Sequence, residues 1–134
     1  MKNAFMVCLL MVVVLATRTQ AQTPDTVPTA KHWAVITFND PVKVGRQVLM
    51  GTYLVVHDDA KMSKGEPCTT IYRFDPKAGP KEQVVAFMCV PKQILARTRT
   101  TLTVLTDPVL GIASLQGFEF AGESELHGVP ADAR

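Results

Sequence analysis

The stretch Cys68-Thr-Thr-Ile-Tyr-Arg-Phe-Asp75, Pro76-Lys-Ala-Gly-Pro-Lys81, Glu82-Gln-Val-Val-Ala-Phe-Met-Cys89 decides how this chain is read. Two runs of β-branched and aromatic residues flank a segment of Asp, Pro and Gly, the pattern of two strands joined by a turn. If the loop Asp75–Glu82 is symmetric about Ala78 and Gly79, Phe74 faces Gln83, Tyr72 faces Val85, Thr70 faces Phe87, and Cys68 faces Cys89. Directly opposed antiparallel residues have Cα atoms about 4.5 or 5.5 Å apart, a separation a disulfide bridges. The same symmetry applied to the preceding connection, Asp58 to Pro67, places His57 opposite Cys68. Three neighbouring strands then carry His57, Cys68 and Cys89 in one transverse row. A shift of one residue in either loop turns side chains to the other face and breaks that row.

Outward from this hairpin, short apolar runs recur every ten residues or so, separated by Gly, Pro and Asp. That rhythm predicts an all-β fold, an antiparallel β-sandwich or partly open barrel of about seven to eight short strands. His32 to Asn39 alternates Ala34, Ile36 and Phe38 with Trp33, Val35 and Thr37, and ends at Asp40-Pro41. Val42 to Val44 and Gln47 to Leu49 flank Gly45-Arg46, a tight hairpin turn. Gly51 permits a bulge before Thr52 to His57. Thr100 to Thr106 and Ile112 to Phe120 complete the set. The best helical window, Gln93 to Thr98, is short and poorly capped, and His127-Gly-Val-Pro130 reads as a terminal turn. Trp33, Phe38, Tyr53, Tyr72, Phe74 and Phe87 are expected in the core or on a sheet face.

Upstream, Lys2 followed by the apolar run Ala4 to Ala16 and by Thr19-Gln20-Ala21 predicts a cleaved export signal over residues 1–21. The run of about thirteen apolar residues is short of the twenty or so that span a bilayer. No second segment of spanning length follows, so no membrane span is expected after cleavage. Residues 22–31 read as a flexible leader and 32–130 as a single β domain. The full chain carries 14 basic and 12 acidic residues. Losing Lys2 and Arg18 leaves twelve of each, which argues against nucleic acid and anionic lipid as partners. A periplasmic or extracellular destination follows, with an envelope or extracellular ligand as partner.

Cys8 would leave with the signal, so Cys68 and Cys89 are the two cysteines that remain in an oxidising compartment, and a disulfide between them is expected. Closing a loop of about twenty residues would add about 3 kcal/mol. Two other readings use the same row. A bond between directly opposed cysteines would be strained and readily reduced. Alternatively, His57, Cys68 and Cys89 ligate a soft metal, with Met62, Met88 or His127 as a further donor. Imidazole, thiolate and thioether together favour copper. No cofactor motif accompanies these residues. Asp58, Asp59 and Glu66 lack the spacing of a calcium loop and read as a solvated turn. Glu119, Glu123 and Glu125 read as a solvated rim, and no serine lies in a Gly-x-Ser-x-Gly setting. The expectation is a non-enzymatic binding or structural module, with a copper or redox protein, or a hydrolase whose site converges only in three dimensions, as alternatives.

The segment Phe38-Asn-Asp-Pro-Val-Lys-Val-Gly-Arg-Gln-Val-Leu-Met-Gly-Thr-Tyr53 resembles small exported bacterial β-sandwich domains of unknown function. Those carry a phenylalanine, a Val-Gly pair, then leucine and Gly-Thr-Tyr. Their usual wording before Gly-Thr-Tyr is Leu-Pro-Ala, where this chain has Leu49-Met50. Gly65-Glu-Pro-Cys-Thr69, Phe118-Glu-Phe-Ala-Gly122 and His127-Gly-Val-Pro130 are similar to segments of uncharacterised exported proteins. The resemblance implies an exported β domain. It supplies strand and turn geometry but no catalytic residues.

Overall fold

The computed structural model describes residues 31–134; the expected signal and all but the last residue of the leader lie outside them. The chain is all-β. Eight strands, β1 (Lys31–Val44), β2 (Gln47–Asp58), β3 (Thr69–Asp75), β4 (Gly79–Phe87), β5 (Val90–Gln93), β6 (Thr101–Thr106), β7 (Ala113–Glu119) and β8 (Glu125–Gly128), surround one short helix, α1 (Asp59–Ser63). They form one sheet in the order β4-β3-β2-β1-β7-β8-β5, with β6 on β7. The sheet is mixed rather than purely antiparallel, because β1 and β7 pair in parallel through Val42–Ala113 and Lys43–Ser114.

The alternation expected for the first strand continues past its expected end. Asp40-Pro41 does not stop β1. It is absorbed as a bulge between Phe38 and Val42, opposite the turn of backbone at Gly51. The bulge leaves parity unchanged, so Ile36, Phe38, Val42 and Val44 all face inward, as do Leu49, Tyr53 and Val55 from β2. Ile71, Val85, Phe87, Leu115, Phe118 and Phe120 complete the core. Tyr53 and Phe87 belong to it as expected, while Trp33 is 68% exposed on the outer face.

Two further differences from the sequence reading concern the termini of elements. Gln93 to Thr98 is not helical; the helix forms in the Asp58–Pro67 connection, capped by Asp58, whose carboxylate accepts from the backbone N–H of Ala60 and Lys61. His127 and Gly128 belong to a strand, β8, which pairs with both β5 and β7. The final residues also pack. Ala133 is buried, its carbonyl accepts from Arg46 N–H at 2.9 Å, and that of Arg134 accepts from Ala86 N–H at 2.8 Å. Gly45 permits this closure. It has φ +59°, and a Cβ there would lie 2.3 Å from the Ala133 carbonyl oxygen.

Both predicted registers are off by one at the cysteine end, and the hairpin is off by two at Tyr72 and by three at Phe74. His57 pairs with Thr69 rather than Cys68. Thr69 pairs with Phe87, which aligns Cys68 with Met88 rather than Cys89. The hairpin tip is the cause: pairing runs on to Asp75 and Gly79, and shifts at Ile71–Tyr72 and Tyr72–Phe74 take up the difference.

Candidate metal centre

Despite those shifts, His57, Cys68 and Cys89 converge. Cys68 precedes the first residue of β3 and Cys89 follows the last of β4. Outside the ladder the pleat no longer dictates which way a side chain points, and both sulfurs turn inward. Cys68 and Cys89 are 1% and 3% exposed, and His57 is fully buried. The cysteines are near neighbours but are not bonded. Their Sγ atoms lie 3.4 Å apart, against about 2.05 Å for a disulfide, and both are free thiols. The offset register is the physical reason, since the two residues are not an opposed pair.

His57 reaches the sulfurs because β2 carries it inward in phase with Tyr53 and Val55. Its Nδ1 lies 3.8 Å from Cys89 Sγ and 3.2 Å from Thr69 Oγ1. His127, positioned by β8 and stacked on Phe118, places its own Nδ1 3.6 Å from the same sulfur. The two imidazole centroids are 4.3 Å apart. Met88 Sδ lies 3.7 Å from Cys68 Sγ. Met62, in α1, is half-buried against the core.

Each buried imidazole is held from behind by a carboxylate. His57 Nε2 donates to Asp59 Oδ1 at 3.1 Å, and His127 Nε2 is hydrogen-bonded with Glu123 Oε2 at 3.2 Å. A carboxylate accepts only, so His57 Nε2 carries the proton and its Nδ1 turns a lone pair toward Cys89 and Thr69, whereas His127 has a carboxylate at each ring nitrogen. Burial, followed by the neighbouring His127, holds the His57 pKa below its ordinary value, and burial does the same to His127. Both rings are therefore neutral, the form that ligates metals. Burial, reinforced by the hydrogen bond to Cys68, pushes the Cys89 thiol up to about 12 in the metal-free protein. Glu125 Oε1 lies 3.5 Å from His127 Nδ1, a second carboxylate on that ring.

Donor atoms of His57, Cys68 and Cys89 all lie within 4.8 Å of one another, as do those of His57, Glu125 and His127. For an ion with metal–sulfur distances of about 2.3 Å and metal–nitrogen distances of about 2.0–2.1 Å, tetrahedral ligand atoms stand about 3.3–3.8 Å apart. The separations of 3.4, 3.6 and 3.8 Å from Cys89 Sγ to Cys68, His127 and His57 fall in that range, but His127 groups with His57 and Glu125 rather than with the two sulfurs.

Asp59 and Glu123 are not the solvated residues expected from sequence. The missing signal was topological: His32 pairs with His57 across β1 and β2, so directly opposed side chains share a face. All three histidines of the chain thus meet at one end of the sheet. Of the other acids, Asp58 caps α1 and pairs with Lys31 at 3.2 Å, Glu66 remains exposed, and buried Glu119 pairs with Arg97 at 3.2 Å. Comparisons with protein-family models, curated proteins and solved structures find no match for this chain.

Proposed function

We propose that the protein is an exported, non-enzymatic metal-binding protein that holds one soft ion, copper(I), between Cys68, Cys89 and His57, with His127 beside Cys89. The observation that carries this reading is the orientation of the two buried histidines. Each is backed by a carboxylate at Nε2 and presents Nδ1 to the same sulfur, the outer-partner arrangement that orients metal-bound imidazoles. Buried thiols pack as small apolar groups, but two buried imidazoles stabilise the fold only through the partners that satisfy them. Two thiolates suit a soft ion, and the Met88 thioether beside Cys68 is a further soft donor that favours copper(I) over zinc if it joins the shell. Asp59 and Glu123 act as positioning groups here, each with one oxygen engaged by a histidine, rather than as an acid–base pair.

Anaerobic titration of the reduced protein with copper(I), in competition with a chelator of known affinity, tests this. One ion per chain is expected, with affinity lost in Cys68→Ser and Cys89→Ser. Equal, weak binding by wild type and both variants would contradict the metal centre. Tight zinc with weak copper(I) would retain the centre and overturn the choice of copper.

A further inference from the structure

The two sulfurs do not exhaust the donors around His57. His57, Glu125 and His127 also keep their ligand atoms within 4.8 Å of one another, and this group contains no sulfur. β8 supplies two of its members, since Glu125 and His127 stand two residues apart on one strand and share a face. β2 supplies the third, and the two imidazole centroids are 4.3 Å apart. His127 is hydrogen-bonded with Glu123 at Nε2, whereas its Nδ1 meets Glu125 Oε1 at 3.5 Å, long for a hydrogen bond. A neutral imidazole has one N–H to share between two carboxylates. Nitrogen and oxygen donors on one tetrahedral ion, at metal distances of about 2.0–2.2 Å, stand about 3.3–3.6 Å apart. The Glu125–His127 separation lies in that range. Beside them opens a cleft of about 290 Å³, whose lining includes Glu125 and His127 but neither cysteine.

We infer that His57, Glu125 and His127 form a second ion position, reached from this cleft and suited to a divalent first-row ion such as zinc. Two imidazoles and a carboxylate select such ions, whereas thiolates select softer ones. Asp59 and Glu123, at the Nε2 atoms of the two rings, orient them for this position as well. With Nε2 given to Asp59, His57 has only Nδ1 to offer, and Nδ1 also faces Cys89. One chain therefore holds copper(I) at the sulfurs or a divalent ion at the second position, but not both. That exclusion rests on the copper(I) reading; the divalent position does not, because no sulfur belongs to it.

Cobalt(II) is the probe, because its visible bands strengthen when it passes from water to a four-coordinate site. The sulfurs are removed in full-length Cys68→Ala/Cys89→Ala, with Cys68→Ser/Cys89→Ser as a second background and near-ultraviolet circular dichroism as the check on folding. Equilibrium dialysis is expected to give one cobalt ion per chain. Adding Glu125→Gln should weaken it by at least about tenfold, the least that losing even an outer partner costs. No cobalt on the folded background, or binding unchanged by Glu125→Gln, overturns the position. In the reduced, thiol-bearing protein, Glu125→Gln is expected to leave copper(I) affinity unchanged, and one copper(I) per chain to exclude cobalt. Lost copper(I) affinity in Glu125→Gln would assign Glu125 to the copper centre and overturn the second position; cobalt bound alongside copper(I) would overturn the sharing of His57. Cobalt held without sulfur by a chain that fails to bind copper(I) would sustain this position and sink the copper centre.

Discussion

The inward face of β2 is the same surface along its length, yet it changes chemistry at one end. Leu49, Tyr53 and Val55 are buried among the apolar side chains of β1, β3 and β4, while His57, two residues on, is equally buried among sulfur, imidazole and carboxylate. Burial of the apolar residues drives folding. Burying His57 brings no such gain, and its neutral form must be maintained against solvation. One strand therefore separates what holds the protein together from what the protein holds.

Substitutions in the two halves should separate stability from binding. Ile71→Ala, in the fully buried apolar half, is expected to cost about 2–5 kcal/mol in denaturant unfolding and to leave copper(I) affinity of the folded fraction unchanged. Cys89→Ser should do the reverse, with more than about a hundredfold loss of affinity and a small change in metal-free stability. If both variants lost stability alike and neither changed binding, the division between the halves would fail.

Smaller effects sharpen the boundary. Asp59→Asn leaves every proposed inner ligand in place but no longer fixes His57 by a charged acceptor. About a 10–100-fold loss in metal affinity is expected by competition titration. His57→Leu replaces a buried polar ring by an apolar side chain beside Val55 and Ile71. Metal-free stability should change by less than about 1.5 kcal/mol, with either sign, while binding is lost. A loss of several kcal/mol would instead make His57 a structural residue.

The pH dependence of the metal-free protein follows from the same groups. The folded state depresses the pKa of His57 and His127, so their contribution is fully present above the ordinary value of 6.5 and declines as pH falls below it. Cys89 is raised from 9.0 to about 12, so its contribution declines as pH rises above 9. Glu123, raised by burial, opposes the histidines in the acid range but is one group against two. Stability measured by urea unfolding should therefore be greatest between about pH 6.5 and 9. A protein equally stable at pH 5 would show the two histidines to be solvated.

Much of the fold was legible because it depends on parity. Alternation along residues 32–38 separates two faces and survives a bulge that adds residues in pairs, although it does not say which face turns inward and Asp40-Pro41 does not end the strand. Register was not legible to one residue, since nothing in Asp75–Glu82 marks where pairing stops. Of the candidate donors His57, Cys68, Cys89, Met62, Met88 and His127, the structure gathers all but Met62, which packs against the core. Cys68 and Cys89 lie just beyond the ladders, where a register error no longer determines direction. His32, Asp59 and Glu123 were missed because each is an ordinary polar residue near a strand end. Their convergence depends on β8 returning beside β7, a pairing that no local pattern announces.

X-ray absorption at the metal edge of the copper(I)-loaded, reduced protein tests the central claim most directly. The arrangement predicts a mixed first shell, with two sulfurs at about 2.3 Å and one or two imidazole nitrogens at about 2.0–2.1 Å, and a drop in sulfur scattering in Cys89→Ser, where only the Cys68 sulfur of the pair remains. A first shell of oxygen and nitrogen alone, unchanged in that variant, would contradict it.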